Sequence, residues 1–152
     1  GVLNHYDFTE TVAHTEDVVI TRKDNPLTYD KPEDLYGKRI AVIRGYEYGE
    51  FDELEKTGKI EYHVVNTHKQ PPRLLNAGRV DAYFGNIHVS PYFIKLNKLE
   101  VSDFKFSHRK MFEFDLALLV RKKIGLLSKL NKFIKKLKND GTLEKITEKY
   151  IK

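Results

Sequence analysis

Residues 38–86 read KRIAVIRGYEYGEFDELEKTGKIEYHVVNTHKQPPRLLNAGRVDAYFGN, and this stretch decides the fold. Residues 39–43 are a continuous apolar run after one charge, as in a strand buried on both faces. Residues 50–56 then predict a short helix stopped by Thr57-Gly58. Residues 60–65 predict a second strand. Residues 67–77 predict a helix, with Asn66 or Thr67 as N-cap and Gly78 just past its end. Pro71 and Pro72 are expected to confine its regular part to the residues after them. Residues 80–84 predict a third strand. Strands alternating with helices in this way imply an α/β fold with a largely parallel sheet. In such a sheet ligands bind outside the carboxyl ends of the strands, beside helix N-termini.

Working outward, residues 17–22 predict a strand, Asn25-Pro26 a turn, and residues 32–35 a short helical turn with Pro32 near its start. Downstream, residues 89–96 predict a helix with Pro91 in its first turn. Residues 104–107 and 116–120 predict further strands. Residues 125–137 predict an amphipathic helix, and residues 142–150 a last helix capped by Thr142. Residues 1–13 show no clear period.

The 152 residues suffice for one domain with a real core or for two small lobes, and 40% hydrophobic with 32% charged residues is the composition of a globular protein. No apolar run approaches the ~18 residues a membrane span needs. The chain opens at Gly1 without a signal-peptide pattern, so export implies a leader outside this sequence. With no cysteine there are neither disulfides nor thiolate metal sites. The net charge is +5, and its excess gathers in residues 121–138. There Leu126, Leu127, Leu130, Phe133, Ile134 and Leu137 recur at helical spacing, which puts Lys129, Lys132, Lys135, Lys136 and Lys138 on the opposite face. A solvated helix face explains this better than a nucleic-acid patch, because no aromatic residue joins the lysines to stack on bases.

Two loops are candidates for binding. Gly45-Tyr46-Glu47-Tyr48-Gly49 follows a buried strand and opens a helix. Its backbone N–H groups suit a carboxylate or phosphate, and its tyrosines add hydroxyls and stacking faces. It lacks the Lys and Ser/Thr of a P-loop, and an ordinary strand-to-helix turn reads the same way. Gly85-Asn86-Ile87-His88 follows the third strand. Asn86 is suited both to cap the next helix and to present its amide to a ligand, with His88 beside it. The six histidines show no metal-ligand spacing. Asp81, Glu113 and Asp115 invite acid–base chemistry, but equally suit solvated strand ends, and no nucleophile–base arrangement accompanies them. No cofactor is expected.

The chain resembles the later part of a bacterial periplasmic solute-binding protein of family 3, the amino-acid ABC transporter type with the type II periplasmic-binding fold. DVVITRKDN (17–25) resembles the first crossover strand between lobes, and DLYGKRIAVIRGYEYG (34–49) the entry into the second lobe. LLNAGRVDAYFGN (74–86) resembles a helix–strand unit of that lobe, and FDLALLVRKK (114–123) the return crossover strand. LNKFIKKLKNDGTLEKITEKYI (130–151) resembles the closing helices.

The resemblance implies a venus-flytrap second lobe with a largely parallel sheet, two crossover strands, and the C-terminal helices that pack on the first lobe. It divides the chain into a first crossover segment (1–22), the second α/β lobe (23–113), and a return strand with C-terminal helices (114–152). Most of the first lobe would be lacking. The implied function is extracytoplasmic, periplasmic binding of a small polar, amino-acid-like solute for an ABC transporter, without chemistry. Hinges are expected near 18–22 and 116–121. The expected ligand-binding residues are Gly45, Tyr46, Tyr48, Gln70, Asn86 and His88, with His68 and Lys69 beside Gln70. The family places an acid for the ligand's ammonium just after the third strand, where this chain has Asn86. Expected partners are the solute and a transporter permease or a sensor. An unpaired Leu126, Leu130, Phe133 and Leu137 stripe would favour a homodimer or exchange of C-terminal helices. The alternatives on this fold are the ligand-sensing domain of a signalling receptor and a dehydratase using Glu113 or Asp115.

Overall fold

The computed structural model describes residues 2–122 and 125–151. Lys123, counted above with the basic segment and the return strand, lies outside them. The chain forms two compact units: Glu16–Phe112, and the residues up to Thr15 together with those from Glu113 onward.

The Glu16–Phe112 unit is built on a sheet whose strands are β2 (Ala13–Arg22), β3 (Arg39–Ile43), β4 (Glu61–Val65), β5 (Ala82–Asn86) and β6 (Phe104–Leu116), in the order β4-β3-β5-β2-β6. β3 runs parallel to β4 and to β5, whereas β2 runs antiparallel to β5. The helices are α1 (Glu50–Lys56), α2 (Gln70–Asn76) and α3 (Ser90–Leu96).

Period-two alternation sorts the apolar side chains into two cores. Val19, Ile40, Val42, Ala82 and Phe84 face one side, where Phe51 anchors α1. Val18, Ile20, Ala41 and Tyr83 face the other, where Leu75 and Ile94 anchor α2 and α3. Burying each such large side chain contributes about 1.5–3 kcal/mol. This two-sided burial is why residues 39–43 read as a continuous apolar run.

Three local expectations are corrected. α2 begins at Gln70 and contains Pro71 and Pro72 in its first turn, where no intrahelical N–H is needed. β6 extends to Leu116, far past residue 107, taking in Phe114 and Asp115, and the strand expected at 116–120 is instead β7 (Leu119–Arg121). β5 spans Ala82–Asn86, so Asn86 is the last residue of the strand and not a loop residue.

In the other unit, β1 (Tyr6–Phe8) pairs antiparallel with β7. Helices α4 (Leu127–Asn139) and α5 (Thr142–Ile151) follow. Glu10 links to α4 twice: its N–H donates to Asn131 Oδ1 at 2.9 Å, and its carboxylate pairs with Lys135 at 3.0 Å. On α4, Ile134 is buried, Leu130 and Leu137 are half-buried and Phe133 is exposed, as is Leu126 just before the helix. Among the described residues no helix is long and apolar enough to cross a membrane.

Candidate functional site

The carboxyl ends of β3 and β5 carry the site. After β3 the chain turns at Gly45, whose φ of +83° lies in the left-handed region that glycine adopts without strain. The two tyrosines of this loop then separate. Tyr46 is 57% exposed and Tyr48 only 5% exposed. β3 pairs with β5 at Ile40↔Ala82 and Ala41↔Tyr83, and beyond that pairing the N–H of Ile43 donates to the Tyr48 hydroxyl at 2.9 Å. Tyr48 is therefore a core side chain that ties off the strand end. Burial pushes its phenol up to about 12.

The loop also satisfies its own amides. The Tyr48 N–H donates to Asp52 Oδ2 at 2.8 Å, and the Tyr46 N–H to the Ile43 carbonyl at 3.3 Å. The first turn of α1 carries Glu50, Asp52 and Glu53. An anion was expected here, and the α1 carboxylates Glu50, Asp52 and Glu53 stand at the same helix start. An open depression of about 490 Å³ beside the loop is lined by Glu47, Asp52, Glu53 and Glu55 among others.

An aromatic row crosses the strand ends. The Tyr46 ring stacks on Tyr48 (centroids 6.5 Å apart) and meets His68 edge-on at 5.9 Å. The Tyr46 hydroxyl stands 3.5 Å from His68 Nε2. His68 in turn stacks on Phe93 of α3 at 5.5 Å. Gln70 is the anchor of the preceding loop: its Oε1 accepts the N–H groups of Asn66 at 2.9 Å and Thr67 at 3.0 Å.

At the end of β5, Asn86 uses both ends of its amide. Its Oδ1 accepts the N–H of His88 at 3.1 Å and of Val89 at 3.3 Å, which shapes the entry to α3. Its Nδ2 donates to Asp17 Oδ1 at 3.1 Å. The register places this carboxylate: β2 is antiparallel to β5, and Asp17 lies directly opposite Asn86. Burial raises the Asp17 carboxyl above its ordinary value, against the opposing pull of the Asn86 amide and the His68 ring. Gly85 leaves no room for a side chain, since a Cβ there would lie 2.5 Å from Ser90 Oγ and 2.7 Å from the Tyr83 ring.

The structure thus brings Tyr46, His68 and Asn86 to one edge of the sheet, with His88 half-buried beside Asn86. It gives Tyr48 and Gln70 architectural partners. Asp17, absent from the sequence-derived candidates, joins them. The catalytic candidates scatter. Asp81 accepts the Arg39 N–H at 2.8 Å and pairs with its guanidinium at 3.7 Å, at the opposite end of β3. Asp115 pairs with His14 in the other unit.

The chain is similar to known binding proteins along nearly its whole length. ABC transporter arginine-binding protein 1 of Escherichia coli (strain K12) is 31% identical over 147 residues, covering 94% of this chain and 58% of that protein. The probable amino-acid-binding protein YxeM of Bacillus subtilis (strain 168) is 28% identical over 149 residues, covering 95% of this chain and 55% of its own length. The chain therefore spans a little over half the length of these relatives. An ancestral arginine-binding protein bound to arginine superposes with a TM-score of 0.73 at 26% identity, covering 98% of this chain and 66% of that one. This fold is that of periplasmic amino-acid-binding proteins, a venus-flytrap lobe with a mostly parallel sheet. The model of the bacterial extracellular solute-binding proteins, family 3, matches residues 3–152, and the chain belongs to that family.

Proposed function

We propose that this chain is the solute-holding part of an extracytoplasmic binding protein that takes a small, polar, amino-acid-like molecule for an ABC transporter and performs no chemistry on it. One observation carries the reading. An exposed aromatic surface, Tyr46 with His68, stands at the carboxyl edge of the sheet beside the polar pair Asn86 and Asp17. Aromatic faces cover the apolar part of a small solute, and a few placed polar groups orient it. The relatives named for arginine and for amino acids support the solute class. The family's extracellular character supports a periplasmic location, and the transporter relatives support a permease as partner.

Exposed Phe8, Leu118 and Phe133 support association with a second copy, as a homodimer or by exchange of C-terminal helices. The division into a first crossover segment (1–22), a second lobe (23–113) and a return segment (114–152) belongs to the same proposal.

Isothermal titration of the chain with the twenty amino acids tests the solute reading. Saturable heat with one or a few of them is the expected result. Heats of dilution with all twenty would refute it.

A further inference from the structure

We propose that Asp17, held in place by Asn86, is the group that receives the cationic end of the solute, an ammonium or a guanidinium. The inference rests on the solute-binding reading and adds to it the charge of the ligand and the residue that meets it.

Asp17 sits where the sheet presents ligands. It lies on β2, yet the antiparallel register sets it level with Asn86, the last residue of β5, at the carboxyl edge of the parallel strands. Its Oδ1 is engaged by Asn86 Nδ2 at 3.1 Å, and Asn86 is in turn fixed by two backbone N–H groups through its Oδ1. The carboxylate is thereby oriented by a side chain with little freedom of its own.

Among the described residues, no lysine or arginine forms an ion pair with Asp17. Its sequence neighbour Glu16 does have one, Lys110 at 2.7 Å. The side chain that acts on Asp17 electrostatically is His68, the residue that also presents the aromatic surface. A half-buried carboxylate with an amide donor but no full cation is costly when ionised. A solute cation would supply the missing partner. The exposed ring of Tyr46, which meets His68 edge-on, is of the kind that attracts ammonium and guanidinium groups. The depression beside α1 carries Glu47, Asp52, Glu53 and Glu55 against Arg44 and Lys56, a net acidic lining that also favours a cation.

The test compares the wild-type chain with D17N, which keeps the shape and an oxygen acceptor for Asn86 but removes the charge. Both are titrated calorimetrically with L-arginine, L-glutamine and Nα-acetyl-L-arginine, and circular dichroism checks the fold. The expected result is a folded D17N whose affinity falls on the order of ten-fold or more. Loss with L-glutamine assigns the α-ammonium to Asp17, and loss confined to the two arginine compounds assigns the guanidinium. A folded D17N that binds as tightly as wild type would overturn the role of Asp17 while leaving solute binding intact. If the wild-type chain binds none of the three and none of the other amino acids, the solute-binding reading fails and this inference falls with it. Should D17N not fold, D17E and N86D supply the comparison. The expected outcome is weakened binding in D17E, whose carboxylate is displaced by one methylene, and altered binding in N86D, where two like charges meet. Unchanged affinity in both would again overturn the assignment.

Discussion

The backbone N–H of Ile43 donates to the hydroxyl of Tyr48 across five residues, at 2.9 Å and in a buried setting. The bond takes the place of a ladder bond to β5, which pairs with β3 at Ile40↔Ala82 and Ala41↔Tyr83. Tyr48→Phe keeps the ring and its contacts with Tyr62 and Phe84 but leaves a buried N–H without an acceptor. We expect a loss of about 1–3 kcal/mol in stability by urea denaturation. A variant as stable as wild type would show that the hydroxyl is dispensable.

Tyr46 is the contrasting case. Its ring is mostly exposed, so Tyr46→Ala should change stability by no more than about 0.5–1 kcal/mol while weakening solute binding. Asn86→Ala should do both, since it removes the acceptor of two N–H groups as well as the Asp17 donor. Unchanged affinity in both variants would refute the placement of the site.

Gly85 should tolerate no side chain. A Cβ would lie 2.5 Å from Ser90 Oγ, 2.7 Å from the Tyr83 ring and 3.0 Å from Ile20. Gly85→Ala is expected to cost about 1–3 kcal/mol through forced displacement of packed neighbours. A thermal midpoint equal to wild type would mean that Ser90 and Tyr83 yield freely.

The Asp17 carboxyl gives stability a pH signature of definite sign. Burial raises its folded-state pKa above the unfolded one, so between the two the folded chain holds more protons. This contribution to stability is fully present below the ordinary carboxylate range and declines as pH rises through the elevated value. Asp17→Asn should flatten that decline, so that its stability relative to wild type improves from about pH 3.5 to pH 7. Denaturation curves across that interval decide the matter, and a relative loss with rising pH would contradict the burial argument.

Phe133 is 56% exposed on α4. Sedimentation velocity should show association that grows with chain concentration and shrinks in Phe133→Ser. A single monomeric boundary at every concentration would count against self-association.

Much of the fold was legible because its period was unambiguous. Residues 39–43 and 50–56 match β3 and α1 residue for residue, since a two-sided strand and a Gly-terminated helix leave few alternatives. Pro71 and Pro72 misled because a proline at the start of a helix and a proline that delays it look alike in sequence. The length of β6 escaped notice because His108, Arg109 and Lys110 interrupt the apolar pattern and read as a loop, although residues 112–116 alternate. Tyr46 and Tyr48 were indistinguishable as letters two apart. Only the turn at Gly45 sends one outward and the other into the core. Asp17 was invisible as a site residue because its meaning depends on a register with a strand 69 residues away. An acid at the start of a strand pattern says nothing by itself.

That register has a bearing on how the chain acquires its shape during synthesis. β2 leaves the ribosome before β3, yet its neighbour β5 is not made until residue 86. At translation rates of about 5–20 residues per second, the apolar run Val18, Val19 and Ile20 waits roughly 3–14 s for its partner. Until then, residues 39–65 can form only the parallel pair β3–β4, and β2 remains an open edge able to join any strand it meets. The arrival of Asn86 opposite Asp17 then closes one edge of β2, and the other stays open until β6 is made.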